Sequence, residues 1–320
     1  MRVVVTGALG YIGSRLIRDL AYASPGCEIV LLDNLASERY ASLYDLPGRA
    51  HYYFIEADVL TADLRRIVSG ADAVVHLAAI TNGPDAARLE RMRRVNLDGA
   101  ELVARACAAS HVPLLFPSTT SVYGVPCGVV NENCLPADLR PQSPYAGWKL
   151  QAEQLLESLG RDQGLDFVIL RMATIFGPSI GMRFHTAVNR FCWRAATGQP
   201  IEVWKTAPHQ FRPYLDLTDA VRAMIFLLRR RQFDRRIYNL LTLNATVAHV
   251  VEVLTWFMPE LRVSYVDSPL MNTLSYCVDQ QRLTRLGFEP GGSLQQGIAN
   301  TIEMVTGRTV NGPIMSHRRR

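Results

Sequence analysis

Short apolar runs alternate with segments of helical periodicity over the first 120 residues of the chain. Five of these runs predict strands, at residues 2–7, 28–33, 52–58, 73–79 and 112–118. Between them, apolar residues recur every three or four positions and predict helices at 11–23, 61–69 and 85–110. Because strands separated by helices of this length need crossover connections, the pattern predicts an α/β fold with a doubly wound parallel sheet.

The pattern changes after residue 180. Predicted helices at 217–230 and 246–257 alternate with short strand-like runs at 201–204, 236–240 and 262–266. This alternation of helices and short strands predicts a smaller, mixed α/β C-terminal domain that binds the substrate. We therefore predict a nucleotide-binding domain over 1–178, a substrate domain over 179–310 that is partly interleaved with the first, and a basic tail over 311–320.

Composition narrows the class of protein. The 320 residues are 48% hydrophobic and 20% charged, which is ordinary for a globular protein. No apolar stretch approaches the roughly 20 residues of a membrane span, and the N-terminus does not resemble a signal peptide, so we expect a cytoplasmic protein without a membrane partner. The six cysteines form no C-x-x-C pair, which argues against a metal site or a disulfide framework.

The net charge of +5 raises the question of a nucleic-acid partner. No basic run is interleaved with aromatic residues, and no nucleic-acid motif is present, so we expect no nucleic acid. An excess of arginine fits an anionic small substrate equally well. Arg91, Arg93 and Arg94 cluster near the predicted cleft, although charges on a helix more often form a solvated face.

A glycine-rich turn joins the first strand to the first helix. Gly7, Gly10 and Gly13 suit a tight turn, close approach of the backbone to a pyrophosphate, and close packing of helix on strand. Asp33 ends the second strand about 20 residues further on, where a carboxylate accepts from a ribose hydroxyl and repels a 2′-phosphate. The pair predicts a Rossmann-type domain that binds NAD rather than NADP; the alternative is an ordinary turn aspartate.

Tyr145 and Lys149 lie four residues apart on a predicted helix over 142–160 and so share one face. Lysine is rare here, since 32 of the 34 basic residues are arginine and Lys205 is the other lysine. An ammonium near a phenol favours the phenolate and lowers its pKa, so Tyr145 can serve as a general base. The alternative is an exposed helix on which a tyrosine packs.

A hydroxyl cluster follows the fifth strand in the segment "FPSTTSVYG" at 116–124. Ligands bind beyond the carboxyl ends of parallel strands, so a hydroxyl here can reach a substrate oxygen while Tyr145 takes its proton. Ordinary loop chemistry is the alternative interpretation of such a cluster.

Together these motifs resemble the extended short-chain dehydrogenase/reductase family, in its NAD-dependent nucleotide-sugar epimerase/dehydratase branch, and are similar to UDP-glucose 4-epimerase. The resemblance runs from residue 2 to about 300 and is carried by T-G-x-x-G-x-x-G at 6–13, "HLAA" at 76–79, "VNLDG" at 95–99, "STTSVYG" at 118–124, Y-x-x-x-K at 145–149 and "FRPYLDLTDAV" at 211–221. It implies bound NAD, a nucleotide-diphosphate sugar as substrate, and a homodimer whose helices near 85–110 and 142–160 pair across a two-fold axis.

The resemblance assigns a role to each matching residue. It implies that Thr119 is the catalytic hydroxyl, that Tyr145 and Lys149 are the catalytic pair, and that Asn96 steadies the active-site helix. Contacts to the cofactor are implied for Gly7, Gly10, Tyr11, Ile12, Gly13, Asp33, Asn34, Asp58, Val59, Leu77, Ala78, Ala79, Asn96, Tyr145 and Lys149. Contacts to the substrate are implied for Thr81, Thr119, Thr120, Thr174 and Arg212.

The departures from the family pattern fall on the substrate side. Thr174 replaces an asparagine that often contacts the sugar diphosphate, and the turn before Arg212 is altered. Family dehydratases carry an Asp-Glu pair where this chain has Thr120 and Ser121, which argues against elimination of water. We therefore predict C4 epimerisation through a transient 4-keto intermediate, with a nucleotide-sugar 4-keto reductase or dehydrogenase as the main alternative. A dehydratase and a non-catalytic NAD-binding scaffold are the remaining alternatives.

Overall fold

The computed structural model describes residues 1–81, 86–124, 128–267 and 275–310. The predicted basic tail at 311–320 and Cys127 lie outside the described residues. The strands within the described ranges are β1 (Arg2–Thr6), β2 (Glu28–Asp33), β3 (His51–Glu56), β4 (Ala73–His76), β5 (Leu114–Thr119), β6 (Val129–Val130), β7 (Phe167–Met172), β8 (Thr174–Phe176), β9 (Ile201–Trp204), β10 (Phe211–Asp216), β11 (Arg236–Leu240), β12 (Leu243–Thr246), β13 (Val263–Val266) and β14 (Cys277–Val278).

Among the described strands, seven form one parallel sheet in the order β11-β7-β5-β4-β1-β2-β3. The strands β1, β4 and β7 are apolar runs buried on both faces, as expected for a sheet covered by helices on each side. The predicted doubly wound parallel sheet is therefore confirmed. The order reverses at β1 and β4, and the cleft where such folds bind ligands opens beyond the carboxyl ends of these strands.

The α-helices of the described ranges are α1 (Gly13–Ala23), α2 (Leu64–Val68), α3 (Ala86–Arg93), α4 (Gly99–Ala109), α5 (Pro144–Gln163), α6 (Ala187–Ala196), α7 (Leu217–Arg230), α8 (Val247–Phe257), α9 (Gln281–Arg285) and α10 (Leu294–Thr306). Helix α5 begins where its sequence signals place it. The Ser143 side chain accepts from the Ala146 N–H, Pro144 occupies the first turn, and Gly164 closes the helix in the left-handed conformation. None of the helices in the described segments combines the length and apolarity that crossing a membrane needs.

The predicted helix at 85–110 is interrupted. A π-helical turn at Arg94–Asp98 separates α3 from α4. Asn96 lies in this turn, where its side chain accepts from the Ile80 N–H at 2.8 Å and donates to the Ile80 carbonyl at 2.7 Å. A widened turn often marks a functional position in a helix, and here it accompanies the clamp on the segment after β4.

The C-terminal part is mixed, as the sequence predicts. Strand β10 pairs in parallel with β8 and antiparallel with β12. Helices α6, α8 and α10 pack together beside this sheet around an apolar cluster that includes Phe176, Phe191 and Ile298. Strand β11, from the same half of the chain, crosses back to pair with β7 at the edge of the large sheet.

Candidate active site

The glycine turn between β1 and α1 is shaped by close backbone contacts. Gly7 has φ +65°, and a Cβ atom there would lie 2.6 Å from the Ala78 nitrogen. A Cβ on Gly13 would lie 2.5 Å from the Ala8 carbonyl oxygen. Because neither position has room for a side chain, the turn stays tight and presents backbone N–H groups at the start of α1, the arrangement that binds a pyrophosphate.

Acidic and amide side chains line the outer end of the cleft, a cavity of about 130 Å³. The Asp33 carboxylate accepts from the N–H groups of Leu9 and Leu35, each at 3.0 Å, and Asn34 donates to Asp58 at 2.8 Å. An ionised carboxylate has further lone pairs to offer, so Asp33 can also accept from a ribose hydroxyl. The predicted cofactor residues on this wall are Gly7, Gly10, Asp33, Asn34, Asp58, Val59, Leu77, Ala78 and Ala79.

Arg39 was missed by the sequence analysis. It lines both the outer cavity and the inner one, and partial burial lowers the pKa of its guanidinium while the negative charge of Asp33 raises it. A basic residue in a polar loop carries no sequence signal of this position. Its placement gives the cofactor end of the cleft a cation beside the Asp33 carboxylate.

The inner cavity, of about 270 Å³, brings the predicted catalytic residues together. Thr119 comes from the end of β5, and Tyr145 and Lys149 from α5. Its lining also includes the predicted residues Gly7, Gly10, Tyr11, Ile12, Gly13, Leu77, Ala79, Thr81 and Thr174. Because the two cavities share Gly7, Gly10, Arg39, Leu77 and Ala79, they form one continuous cleft.

Lys149 is 3% exposed, and its ammonium donates to the Pro117 carbonyl oxygen at 2.9 Å. The ammonium also lies 4.4 Å from the centre of the Phe116 ring. Burial lowers the pKa of Lys149 to about 8, and the negative charge of Glu153 opposes that shift. Lys149 is therefore held by β5 at the lining of the inner cavity.

Burial also raises the pKa of the Tyr145 phenol, whereas the sequence predicted a pKa lowered by Lys149. The positive charge that acts against burial at Tyr145 is that of Arg183. Helical spacing pointed to Lys149 alone because it reveals neighbours on one helix and not those on a distant loop. The cavity thus provides two cations, Lys149 and Arg183, in the surroundings of one phenol.

Arg183 lies in the loop after β8 and was also missed. Its Nη1 donates to the Thr81 hydroxyl at 2.7 Å, and the His185 Nε2 lies 3.2 Å from the same hydroxyl. Its enclosed Nε has no hydrogen-bond partner among the described residues. Its position after a strand was the one sequence signal that could have found it, because loops after the carboxyl ends of strands line the cleft in such folds.

Two further buried polar atoms without a described partner belong to residues that line the inner cavity. His76 Nδ1 lies 2.8 Å from the Thr6 hydroxyl, which already accepts from the Ala78 N–H; the hydroxyl proton is thus free to point at Nδ1, leaving the ring proton on Nε2. Neither His76 Nε2 nor the Ser118 hydroxyl has a partner in the described part of the chain, and both residues line the cavity. Buried polar groups without partners fit a site that a polar ligand completes.

Three predicted residues lie outside the described lining of both cavities. Thr120 is buried in a short 3₁₀ turn, with its carbonyl 3.5 Å from the Tyr276 hydroxyl. Asn96 clamps Ile80, and Arg212 lies on β10, where it donates to Gln210 at 3.0 Å. Of the arginine cluster, Arg91 lines the outer cavity, whereas Arg93 pairs with Glu90 and Asp98.

A glycine turn, an acidic strand end and a cleft lined by Tyr145 and Lys149 are typical of an NAD-dependent enzyme of the Rossmann class. A comparison with protein families matches residues 3–240 to the NAD dependent epimerase/dehydratase family. The chain belongs to this family, and the predicted family and cofactor are confirmed.

Relatives within this family differ in their reactions. The chain is 30% identical over 319 residues to a dTDP-glucose 4,6-dehydratase of Streptomyces griseus, covering 94% of this chain and 92% of the relative. It is 26% identical over 337 residues to a trifunctional UDP-glucose 4,6-dehydratase/UDP-4-keto-6-deoxy-D-glucose 3,5-epimerase/UDP-4-keto-L-rhamnose-reductase of Arabidopsis thaliana, covering 99% of this chain but 50% of the relative. The chain thus spans about half the length of that protein.

Solved structures share the fold over nearly the whole chain. The UDP-glucuronic acid 4-epimerase of Bacillus cereus, solved with UDP-glucuronic acid and NAD, is 25% identical with a TM-score of 0.84. The match covers 96% of this chain and 99% of that structure. These matches establish the family and its dependence on NAD.

Proposed function

We propose that the protein is an NAD-dependent nucleotide-sugar epimerase that inverts C4 through a 4-keto intermediate. The observation that carries this proposal is the inner cavity, which unites Thr119, Tyr145 and Lys149 but has no carboxylate in its described lining. Elimination of water needs a further acid and base beside the sugar. A redox-neutral inversion needs one base, one hydroxyl donor and a hydride carrier.

Tyr145 acts as the general base on the sugar 4-hydroxyl. Its phenolate takes the proton while the Thr119 hydroxyl donates to the same oxygen and holds it in place. Bound in the cleft by residues such as Gly7, Gly10 and Asp33, NAD would supply the acceptor for the C4 hydride. When the flat 4-keto sugar has turned within the cavity, the hydride would return to the other face of C4, and Tyr145 gives the proton back to the 4-oxygen.

The charges of the site favour the ionised base. Burial alone opposes a phenolate at Tyr145, and the positive charge of Arg183 acts against that effect. Lys149 adds a second cation on the same helix face. The positive charge of Arg183 lowers the free-energy cost of ionising the Tyr145 phenol, while burial keeps its pKa above the ordinary value.

The fold supports a nucleotide-diphosphate sugar as substrate. The Bacillus cereus neighbour is described with UDP-glucuronic acid and NAD bound together. The basic excess of this chain, with Arg39 and Arg183 in the cleft, suits a diphosphate. The homodimer remains a prediction, to be checked by light scattering during size-exclusion chromatography.

The main alternative is a 4-keto reductase or dehydrogenase on the same scaffold. The described site residues do not separate the two, because both reactions use the same tyrosine, lysine and hydroxyl. Cofactor use does separate them. An epimerase turns over with bound NAD and needs none added, whereas a reductase consumes one reduced cofactor for each product.

The test is incubation of the purified protein with UDP-, dTDP-, GDP- and CDP-hexoses and hexuronic acids, followed by NMR of the products. We expect C4 inversion of at least one sugar without net change in absorbance at 340 nm. Tyr145→Phe should abolish it, while Tyr265→Phe, which alters a 57% exposed tyrosine on β13, should not. Stoichiometric oxidation of added NADH, or loss of water from the sugar, would overturn the proposal.

A further inference from the structure

A buried carboxylate follows the catalytic lysine on α5. Tyr145, Lys149 and Glu153 are spaced four residues apart, so the phenol, the ammonium and the carboxylate follow one another along the same face of the helix. Lys149 is 3% exposed and Glu153 is 1% exposed. A charged residue this deeply buried needs a partner of opposite charge. Because most buried positions are apolar, a charge here also calls for a functional explanation.

The partner of Glu153 is Arg171 on β7, which is also 3% exposed. Arg171 Nε lies 3.1 Å from both carboxylate oxygens, and its Nη2 lies 2.6 Å from Oε2. The guanidinium carbon lies 4.9 Å from the centre of the Tyr123 ring. This geometry fixes the carboxylate, because two donors and a packed guanidinium leave it no room to rotate.

Such an ion pair is a poor device for stability. Desolvation of two charges offsets most of their attraction, and an apolar pair of similar volume often serves the fold as well or better. The position of this pair therefore calls for a role beyond holding α5 against the sheet.

The surroundings of Lys149 show what that role is. The ammonium faces the Phe116 ring and the Pro117 carbonyl. The neutral His76 ring on β4 stacks on Phe116, with the two ring centres 6.0 Å apart. The Tyr145 phenol and the Arg183 cation share the cavity with it. Glu153 is the carboxylate that acts on the Lys149 charge among the described residues.

We propose that Glu153, fixed by Arg171, is a positioning residue that keeps Lys149 protonated beside Tyr145. Burial drives Lys149 towards its neutral form, and a carboxylate one helical turn away opposes this drive. The consequence for the reaction rests on the proposed function, whereas the effect on Lys149 itself does not.

The consequence for catalysis follows from counting protons. The active pair is a charged lysine with an ionised tyrosine, and it holds as many protons as the inactive neutral pair. Loss of the Glu153 charge shifts the balance towards the neutral pair, and no change of pH restores it because the two forms bind equal numbers of protons. We therefore expect a lower plateau of kcat rather than a mere shift of the pH optimum.

The chain allows a direct test, because Lys149 and Lys205 are its two lysines. Protein labelled with lysine carrying ¹³C at the ε position gives two side-chain signals, which Lys205→Arg assigns. The variant E153Q/R171M removes both charges at once and so avoids stranding a buried guanidinium, which Glu153→Gln alone would do. Glu153→Asp keeps the carboxylate as the conservative rescue.

In E153Q/R171M we expect the Lys149 signal to titrate at lower pH than in the wild type, and Glu153→Asp to restore it at least in part. Plateau kcat should fall about threefold to tenfold, the size expected for a partly compensated charge one turn away. Asp166→Asn is the matched control, since it breaks the exposed ion pair with Arg235 and should move neither readout.

An unchanged Lys149 titration in a double variant that remains folded, as judged by circular dichroism, would overturn the proposal. The titration is measured without any substrate, so it decides the role of Glu153 even if the wild type proves not to be an epimerase. A loss of kcat with an unmoved Lys149 titration would likewise contradict it, because that outcome assigns the pair a purely structural role.

Discussion

Lys149 on α5 donates a hydrogen bond of 2.9 Å to the carbonyl oxygen of Pro117 on β5. Two residues further along the same strand, Thr119 ends β5 at the wall of the inner cavity. The bond therefore fixes the position of α5, and with it Tyr145, relative to the hydroxyl that is predicted to share the substrate oxygen. One contact thus couples the three residues that are proposed to be catalytic.

Replacement of Lys149 by methionine should remove both this contact and the charge. We expect kcat to fall by about 100-fold or more, the typical size of an acid–base contribution. The free energy of unfolding should change by less than the free-energy equivalent of that loss. Steady-state kinetics and a thermal melt measure the two effects. Lys205→Met removes an exposed lysine paired with Asp267 and should leave kcat unchanged; equal losses from both variants would contradict the assignment.

His76 should make the protein acid-sensitive. Burial, with the nearby charge of Lys149, lowers its pKa from 6.5 to about 3. Because the unfolded chain binds a proton in this window and the folded protein does not, stability should fall as the pH drops from about 6.5 towards 3, by up to about 1.4 kcal/mol per pH unit. Denaturant unfolding at several pH values should show a shallower slope for His76→Gln; identical slopes would exclude this origin.

Gly7→Ala should lower the free energy of unfolding by more than the positive φ of residue 7 alone would cause. The new Cβ would collide with Ala78, and φ is +65°. Gly26→Ala is the matched control, since Gly26 has φ +77° and open space around it. We expect the control to cost about 1–2 kcal/mol from its backbone angle alone and Gly7→Ala distinctly more, with loss of NAD binding. Similar unfolding free energies with NAD binding intact would contradict the steric argument.

Asp33 and Arg39 should together decide between the two dinucleotides. The carboxylate repels a 2′-phosphate, whereas the neighbouring guanidinium attracts one. Asp33→Ser should therefore raise the affinity for NADP relative to NAD by about tenfold, equivalent to about 1.4 kcal/mol. Calorimetric titration of both cofactors measures this ratio. The gain should disappear in D33S/R39A, and its persistence there would remove Arg39 from the explanation.

The sequence predicted the main residues of this site because the motifs that identify them are local. Glycines at fixed spacing, a strand ending in Asp33 and the helical spacing of Tyr145 and Lys149 each report geometry within a few residues. Arg39 and Arg183 escaped prediction because their positions depend on how loops fold over the cleft, which no periodicity records. The partner of Glu153 escaped for the same reason, since Arg171 meets it across 18 residues of chain.

The π-helical turn at Arg94–Asp98 also could not be predicted from the sequence. Apolar spacing predicted one uninterrupted helix, and a single widened turn barely disturbs that pattern. What distinguishes the turn is the bond of Asn96 to the backbone of Ile80, a contact between segments 16 residues apart. Local propensity contains no information about such a clamp.

The position of β11 in the sheet affects how this protein folds during synthesis. Arg236–Leu240 covers one side of the large sheet, so β7 has an unprotected edge until these residues have left the ribosome. An exposed strand edge invites pairing with other chains. A fragment that stops at residue 178 should therefore aggregate although it carries the whole glycine turn and the catalytic helix, and the nascent chain is most vulnerable during that interval.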